Sequence, residues 1–118
     1  MSMTVRVPVA PIFIIDGDDI MAFASIEDAE KYVEAVDVHD GIYEGWDAHG
    51  RVLTLEADAV TRFNAPPVQI RLAEPLRDES GNLRDRLAAA LDRHTDADLE
   101  RDSLDEVVHE YVAWAGYS

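Results

Sequence analysis

The sequence predicts an α+β domain, an antiparallel sheet of about five strands with about three helices packed on one face. Three observations predict it. Short apolar runs are joined by Asp-Gly and similar turn residues, the mark of hairpins rather than of parallel crossovers. Three longer stretches carry apolar residues at helical spacing. The elements come as two strands and a helix, three strands, then two helices. At 118 residues the chain can bury one core but not two, so residues 1–118 are expected to form a single domain.

Residues 1–10 read as a loose lead-in, because Pro8 and Pro11 limit regular pairing. Ile12, Phe13, Ile14 and Ile15 form a continuous apolar strand, and Ile20 to Ala24 a second one. Between them stands Asp16-Gly17-Asp18-Asp19, where glycine accepts the positive φ of a tight turn. Ser25 then opens a helix, with Asp28 at capping-box spacing in place of the preferred Glu. Ile26, Ala29, Tyr32, Val33 and Val36 give that helix an apolar face, and Gly41 punctuates its end.

A second hairpin is expected around Asp47-Ala48-His49-Gly50, between "IYEGWDA" and "RVLTLEA". Further on, Val68, Ile70 and Leu72 alternate with Gln69 and Arg71, which predicts a half-buried strand between flanking prolines. Residues 78–82 read as a turn. Leu83, Leu87, Ala90 and Leu91 mark a helix to about His94, followed by a polar connection. Ser103, with Glu106 at capping-box spacing, opens a last helix that buries Leu104, Val107, Val108, Tyr111 and Val112.

The charge is strongly one-sided: 25 acidic residues against 10 basic ones, a net −15. Residues 16–48 alone hold eleven acids and one lysine. Such a field repels nucleic-acid phosphates and anionic membranes, and it attracts basic proteins. The same surplus also serves solubility or adaptation to salt. There is no cysteine, which excludes disulfides, thiolate metal sites and a cysteine nucleophile. No apolar run approaches the ~18 residues of a membrane helix, and no signal-peptide pattern is present, so the expected location is cytoplasmic.

"FIIDGDDIMAF" is the stretch that invites a chemical reading. As a calcium loop starting at Asp16 it would have Asp18 at position 3 and Glu27 at position 12, but Ile20 and Met21 occupy positions 5 and 6, and no helix precedes it. A strand ending in Asp-x-Asp also resembles the nucleophile motif of haloacid dehalogenase-type phosphatases. That resemblance implies Asp16 as nucleophile, Asp18 at the leaving group and Mg²⁺ neutralising charge. The family needs a phosphate-balancing lysine and a parallel sheet. Here the single lysine, Lys31, sits on a helix's polar face and the strands read as hairpin-joined. A turn is the reading that remains, since aspartate favours turns.

No other constellation is complete. His39, His49, His94 and His109 lack metal-ligand spacing, and Ser25 and Ser103 are explained as caps. Asp105 and His109, at i,i+4, read as a surface pair. Tyr111, Trp114 and Tyr117 recur every three residues, either as core running into a frayed end or as an aromatic anchor at an interface.

The stretch "FIIDGDDIMAFASIEDAEKYVEAVDVHDGIYEGWDAHGRVLTL", residues 13–55, resembles small acidic immunity proteins encoded beside bacterial polymorphic or contact-dependent growth inhibition toxins. The resemblance implies a cytoplasmic protein that binds and blocks a cognate toxin domain, often a nuclease with a basic cleft. It supplies no contact residues; those are expected where acids gather at turns. Asp16, Asp18, Asp19, Asp37, Asp40, Glu44 and Asp47 are the candidates, with Tyr43 and Trp46 as buried anchors at the interface. The expectation is therefore a binding protein with a basic partner, without catalytic residues, metal or cofactor. The alternative is a small Mg-dependent phosphohydrolase using Asp16 and Asp18.

Overall fold

The computed structural model describes residues 7–17, 19–33, 38, 41, 43–57, 68–94 and 103–117. Strand β1 (Ile12–Asp16) turns into β2 (Asp19–Phe23), and helix α1 (Ile26–Tyr32) follows. Strands β3 (Tyr43–Trp46), β4 (Val52–Glu56) and β5 (Gln69–Leu72) come next, then helices α2 (Ser80–His94) and α3 (Leu104–Ala115). The strands form one five-stranded sheet in the order β2-β1-β3-β4-β5, with every neighbouring pair antiparallel. The fold is α+β, as the order of elements predicts. No helix among the described residues is long and apolar enough to cross a membrane.

The helices are not confined to one face. Helix α1 packs over Ile12, Ile14, Phe23, Leu53 and Ile70, while α2 and α3 cover Phe13, Ile15, Ala22 and Trp46 on the opposite side. The cause lies in β1. Successive strand residues point to opposite faces, and all four of Ile12 to Ile15 are apolar and buried. Both faces of the sheet are therefore apolar at β1, and both need a cover. Helix α1 reaches from β1 and β2 to β5, the far edge of the sheet.

That reach brings the Glu30 carboxylate to the edge strand β5, where it accepts a 2.8 Å hydrogen bond from the Ile70 amide. At the other edge, the Tyr111 hydroxyl donates to the Ile20 carbonyl of β2 at 2.9 Å. Each edge strand thus has a backbone group capped by a side chain, which blunts pairing with another chain.

Several boundaries differ from the sequence expectation. Ser25 caps α1 by accepting from the Asp28 amide, but the helix stops at Tyr32, because Val33 is extended (ψ 141°) and turns back into the core. Val36 lies outside the described residues, as does the connection at 95–102. Helix α2 starts at Ser80, inside the stretch read as a turn: Asp78 accepts from the Ser80 amide at 2.9 Å, and the Leu83 amide donates to the Glu79 carbonyl. The Ser80 amide and hydroxyl hold the Asp78 carboxyl below the usual carboxylate range. Ser103 caps α3 as expected.

The lead-in is also pinned where it is described, and Asp47 pins it. This side chain is fully buried, at 0% exposure. Its Oδ1 accepts from the amides of His49 and Arg51, each at 3.0 Å. Its Oδ2 accepts from the Val9 amide at 3.1 Å and from Arg51 Nε and Nη2 at 2.9 and 2.6 Å. Arg51 Nη2 also donates to the Val7 carbonyl, and the Ala48 amide donates to the Val9 carbonyl. One carboxylate therefore closes the β3–β4 turn and fastens residues 7–9 to it.

The turn then places α2. Gly50, at φ +77°, offers its carbonyl to the Glu79 amide, and Arg51 bridges to Asp78. A Cβ at Gly50 would collide with the backbone of Ser80.

Two substitutions test this junction. Asp47→Asn leaves the buried Arg51 without its counter-charge and is expected to cost about 3–5 kcal/mol. Gly50→Ala combines a left-handed φ with the Ser80 collision and is expected to cost about 2 kcal/mol or more. Urea midpoints within error of the parent chain would show that the junction does not hold the fold.

Candidate partner-binding surface

Two exposed acids face each other at the β1–β2 turn. Gly17, at φ +60°, carries the chain through it, and Asp16 stands directly opposite Asp19. Asp16 is also in register with Tyr43 on β3. Strand alternation puts Asp16 on the same side as Ile12 and Ile14, so Asp19, Asp16 and Tyr43 form a row across three strands on the α1 face. Asp16 and Asp19 are exposed, and neither has an ion-pair partner among the described residues. Like charges directly opposite in a hairpin repel.

Other predicted contacts lie elsewhere. Asp47 cannot present its charge to a partner, since it is buried and its carboxylate accepts five hydrogen bonds within the chain. Trp46 is 3% exposed. Its indole N–H donates to Glu79 at 3.1 Å and the Arg86 guanidinium sits over its ring at 5.1 Å, so it is a core residue and not an interface anchor. Alternation puts Glu44 on the opposite face from Tyr43, where Arg86 holds it at 3.0 Å. Tyr43 is half-buried. Asp18, Asp37 and Asp40 lie outside the described residues, as does His39.

Five arginines are paired within the chain, Arg51 in the interior and the others at the surface. Arg51, Arg71, Arg77, Arg84 and Arg86 each pair with a carboxylate of this chain: Asp47, Glu56, Glu79, Asp85 and Glu44. A cleft of about 320 Å³ beside the turn is lined by Ile15, Gly17, Ile20, Arg86, Ala89 and Arg93. Asp16 itself ends a strand of an antiparallel sheet, whereas the phosphatase motif it resembles requires a parallel one.

The C-terminal aromatics divide by burial. Tyr111 is core, edge-on to Phe13 at 6.1 Å. Trp114 and Tyr117 are exposed, and Trp114 packs edge-on to Tyr111 at 5.7 Å. The spacing of three was the available signal, but it could not say where the helix face would turn to solvent. His49 and His109 are exposed, as is Asp105.

No family model matches the chain, and no curated protein or solved structure matches it.

Burial, and after it the negative charge of Asp19, push the Tyr111 phenol above its ordinary value. A raised folded value gives stability that is complete below the unfolded pKa of about 10 and is lost as pH rises through the higher folded one. Tyr111→Phe is therefore expected to cost about 1 kcal/mol at neutral pH and to remove the Tyr111 share of the stability loss above about pH 10. Urea unfolding between neutral and strongly alkaline pH reads both effects; identical pH profiles for the two chains would contradict them. By contrast, Asp16→Asn relieves the repulsion from Asp19 and is expected to raise stability by a few tenths of a kcal/mol, about 0.2–0.5.

Proposed function

We propose that this chain is a binding protein that captures a basic protein partner on its acidic surface, and that the partner is a toxin domain which it neutralises as an immunity protein. The observation that carries the reading is how the charges are distributed. Five arginines are tied to acids of the same chain, so the surplus behind the net −15 is not neutralised internally. Part of that surplus stands at the β1–β2 turn, where Asp16 and Asp19 face each other without an ion-pair partner among the described residues. A cation from outside relieves this repulsion, which ties binding to the site.

The capped sheet edges point the same way. With Ile20 and Ile70 each holding a side-chain partner, strand addition has less free backbone to use, and recognition falls to side chains and charge. An acidic protein that plugs the basic cleft of a nuclease is one form this takes. Long-range attraction speeds encounter, and buried contacts set the lifetime of the complex.

The product of the neighbouring gene is the partner to test, first by pull-down and then by association kinetics. Raising ionic strength shortens the screening length from about 10 Å at 0.1 M to about 3 Å at 1 M. The on-rate is expected to fall at least about tenfold over that range. Asp16→Lys with Asp19→Lys should slow association with less effect on dissociation. An on-rate indifferent to both salt and charge reversal would leave the acidity as a solubility feature.

A further inference from the structure

The cleft of about 320 Å³ beside the β1–β2 turn lies between the hairpin and helix α2. Its floor is apolar: Ile15 and Ile20 stand directly opposite each other, the first buried and the second half-buried. One wall is bare backbone, since a Cβ at Gly17 would meet nothing within 4 Å. The other wall is α2, where Arg86, Ala89 and Arg93 follow at spacings of three and four and so share one stripe of the helix. Ala89, a single methyl between two long side chains, leaves the space open. The volume falls at the small end of the range of about 300–1,000 Å³ that holds small ligands.

The charge of this cleft is opposite to that of the chain as a whole. Two guanidinium groups line it, and no carboxylate among the described residues does. The two arginines differ. Arg86 is balanced by Glu44 at 3.0 Å and rests over the Trp46 ring. Arg93 is exposed and forms no ion pair among the described residues. The described lining therefore carries one uncompensated positive charge. Strand alternation sends Asp16 and Asp19 to the other face of the hairpin, away from Ile15 and Ile20. Salt screens the wider negative field over about 8 Å at physiological ionic strength, so the arginines set the field inside the cleft.

We propose that this cleft binds a small organic monoanion, a carboxylate carried on a compact apolar body. One uncompensated charge selects one negative charge, and Arg93 supplies the planar fork that a carboxylate accepts. The floor of Ile15 and Ile20 takes the apolar part out of water. A multiply charged anion would leave unmatched charge over that floor. The inference stands apart from acidic capture: it uses the other face of the hairpin and a ligand of opposite sign, so either reading can fail without the other.

The test titrates benzoate into the intact, isotope-labelled chain and follows the backbone amides by NMR. Saturable shifts are expected at Ile15, Gly17, Ile20 and Ala89, with a Kd of about 1–10 mM, the scale for so few ligand atoms. Benzylamine, which has the same ring and the opposite charge, is expected not to bind there. Acetate, which has the charge without the ring, should bind at least about tenfold more weakly. Arg93→Gln removes the charge at an exposed position and should weaken benzoate at least about tenfold. Ala89→Phe keeps both arginines but fills the cleft and should abolish binding. Should that variant melt lower than the parent, the smaller Ala89→Leu is read in its place. Benzoate binding unchanged by Arg93→Gln, or no saturable shift in the parent chain, overturns the site. Binding of benzylamine at the same amides overturns the assignment to an anion, and equal binding of acetate and benzoate overturns the apolar body.

Discussion

The Asp47 carboxylate is where the separate parts of this chain are joined. Five hydrogen bonds end on it, from Val9, His49 and Arg51. A buried ion pair is costly to desolvate, and it is tolerated where geometry and further hydrogen bonds satisfy both partners. Here they do: no buried side-chain nitrogen or oxygen among the described residues lacks a partner. The turn it closes sets Trp46 opposite Val52 and hands the start of α2 its first backbone partner through Gly50. Helix α2 then covers Phe13, Ile15 and Trp46 together with α3, and that packing carries Tyr111 to the edge of β2.

The same residue types do opposite work in the two hairpins. Asp16-Gly17 and Asp47 to Gly50 read alike in the sequence, as polar turns at the surface. What separates them is Arg51, four residues after Asp47 and flanked by apolar strand. A carboxylate and a guanidinium facing each other across a short loop are a signal for a buried pair, whereas Asp16 has only other acids nearby in sequence. The strands, their pairing as hairpins and the serine caps were legible because each rests on local chemistry. The helix layers were legible too, but were misjudged: four consecutive buried apolar residues in β1 already require two covered faces.

The parts that were not legible depend on long-range contacts. Nothing local says that Trp46 will meet Glu79, 33 residues away, or that Tyr111 will reach Ile20 across 91. Those contacts decide which aromatic is enclosed and which is presented. Trp46 and Trp114 differ little in local context, since both stand near acids and small residues. Packing alone makes one core and the other surface. The early end of α1 is of the same kind, with Val33 leaving the helix to reach the core.

Hydrogen exchange of the backbone, with and without the bound partner, separates the junction from the recognition surface most directly. Residues 47–51 should exchange slowly in both states, because their order is internal. Residues 16–20 should gain protection when the partner binds. Protection gained instead at residues 47–51, with the β1–β2 turn unchanged, would place recognition on the β3–β4 turn and contradict the division of roles between Asp47 and the acids at Asp16 and Asp19.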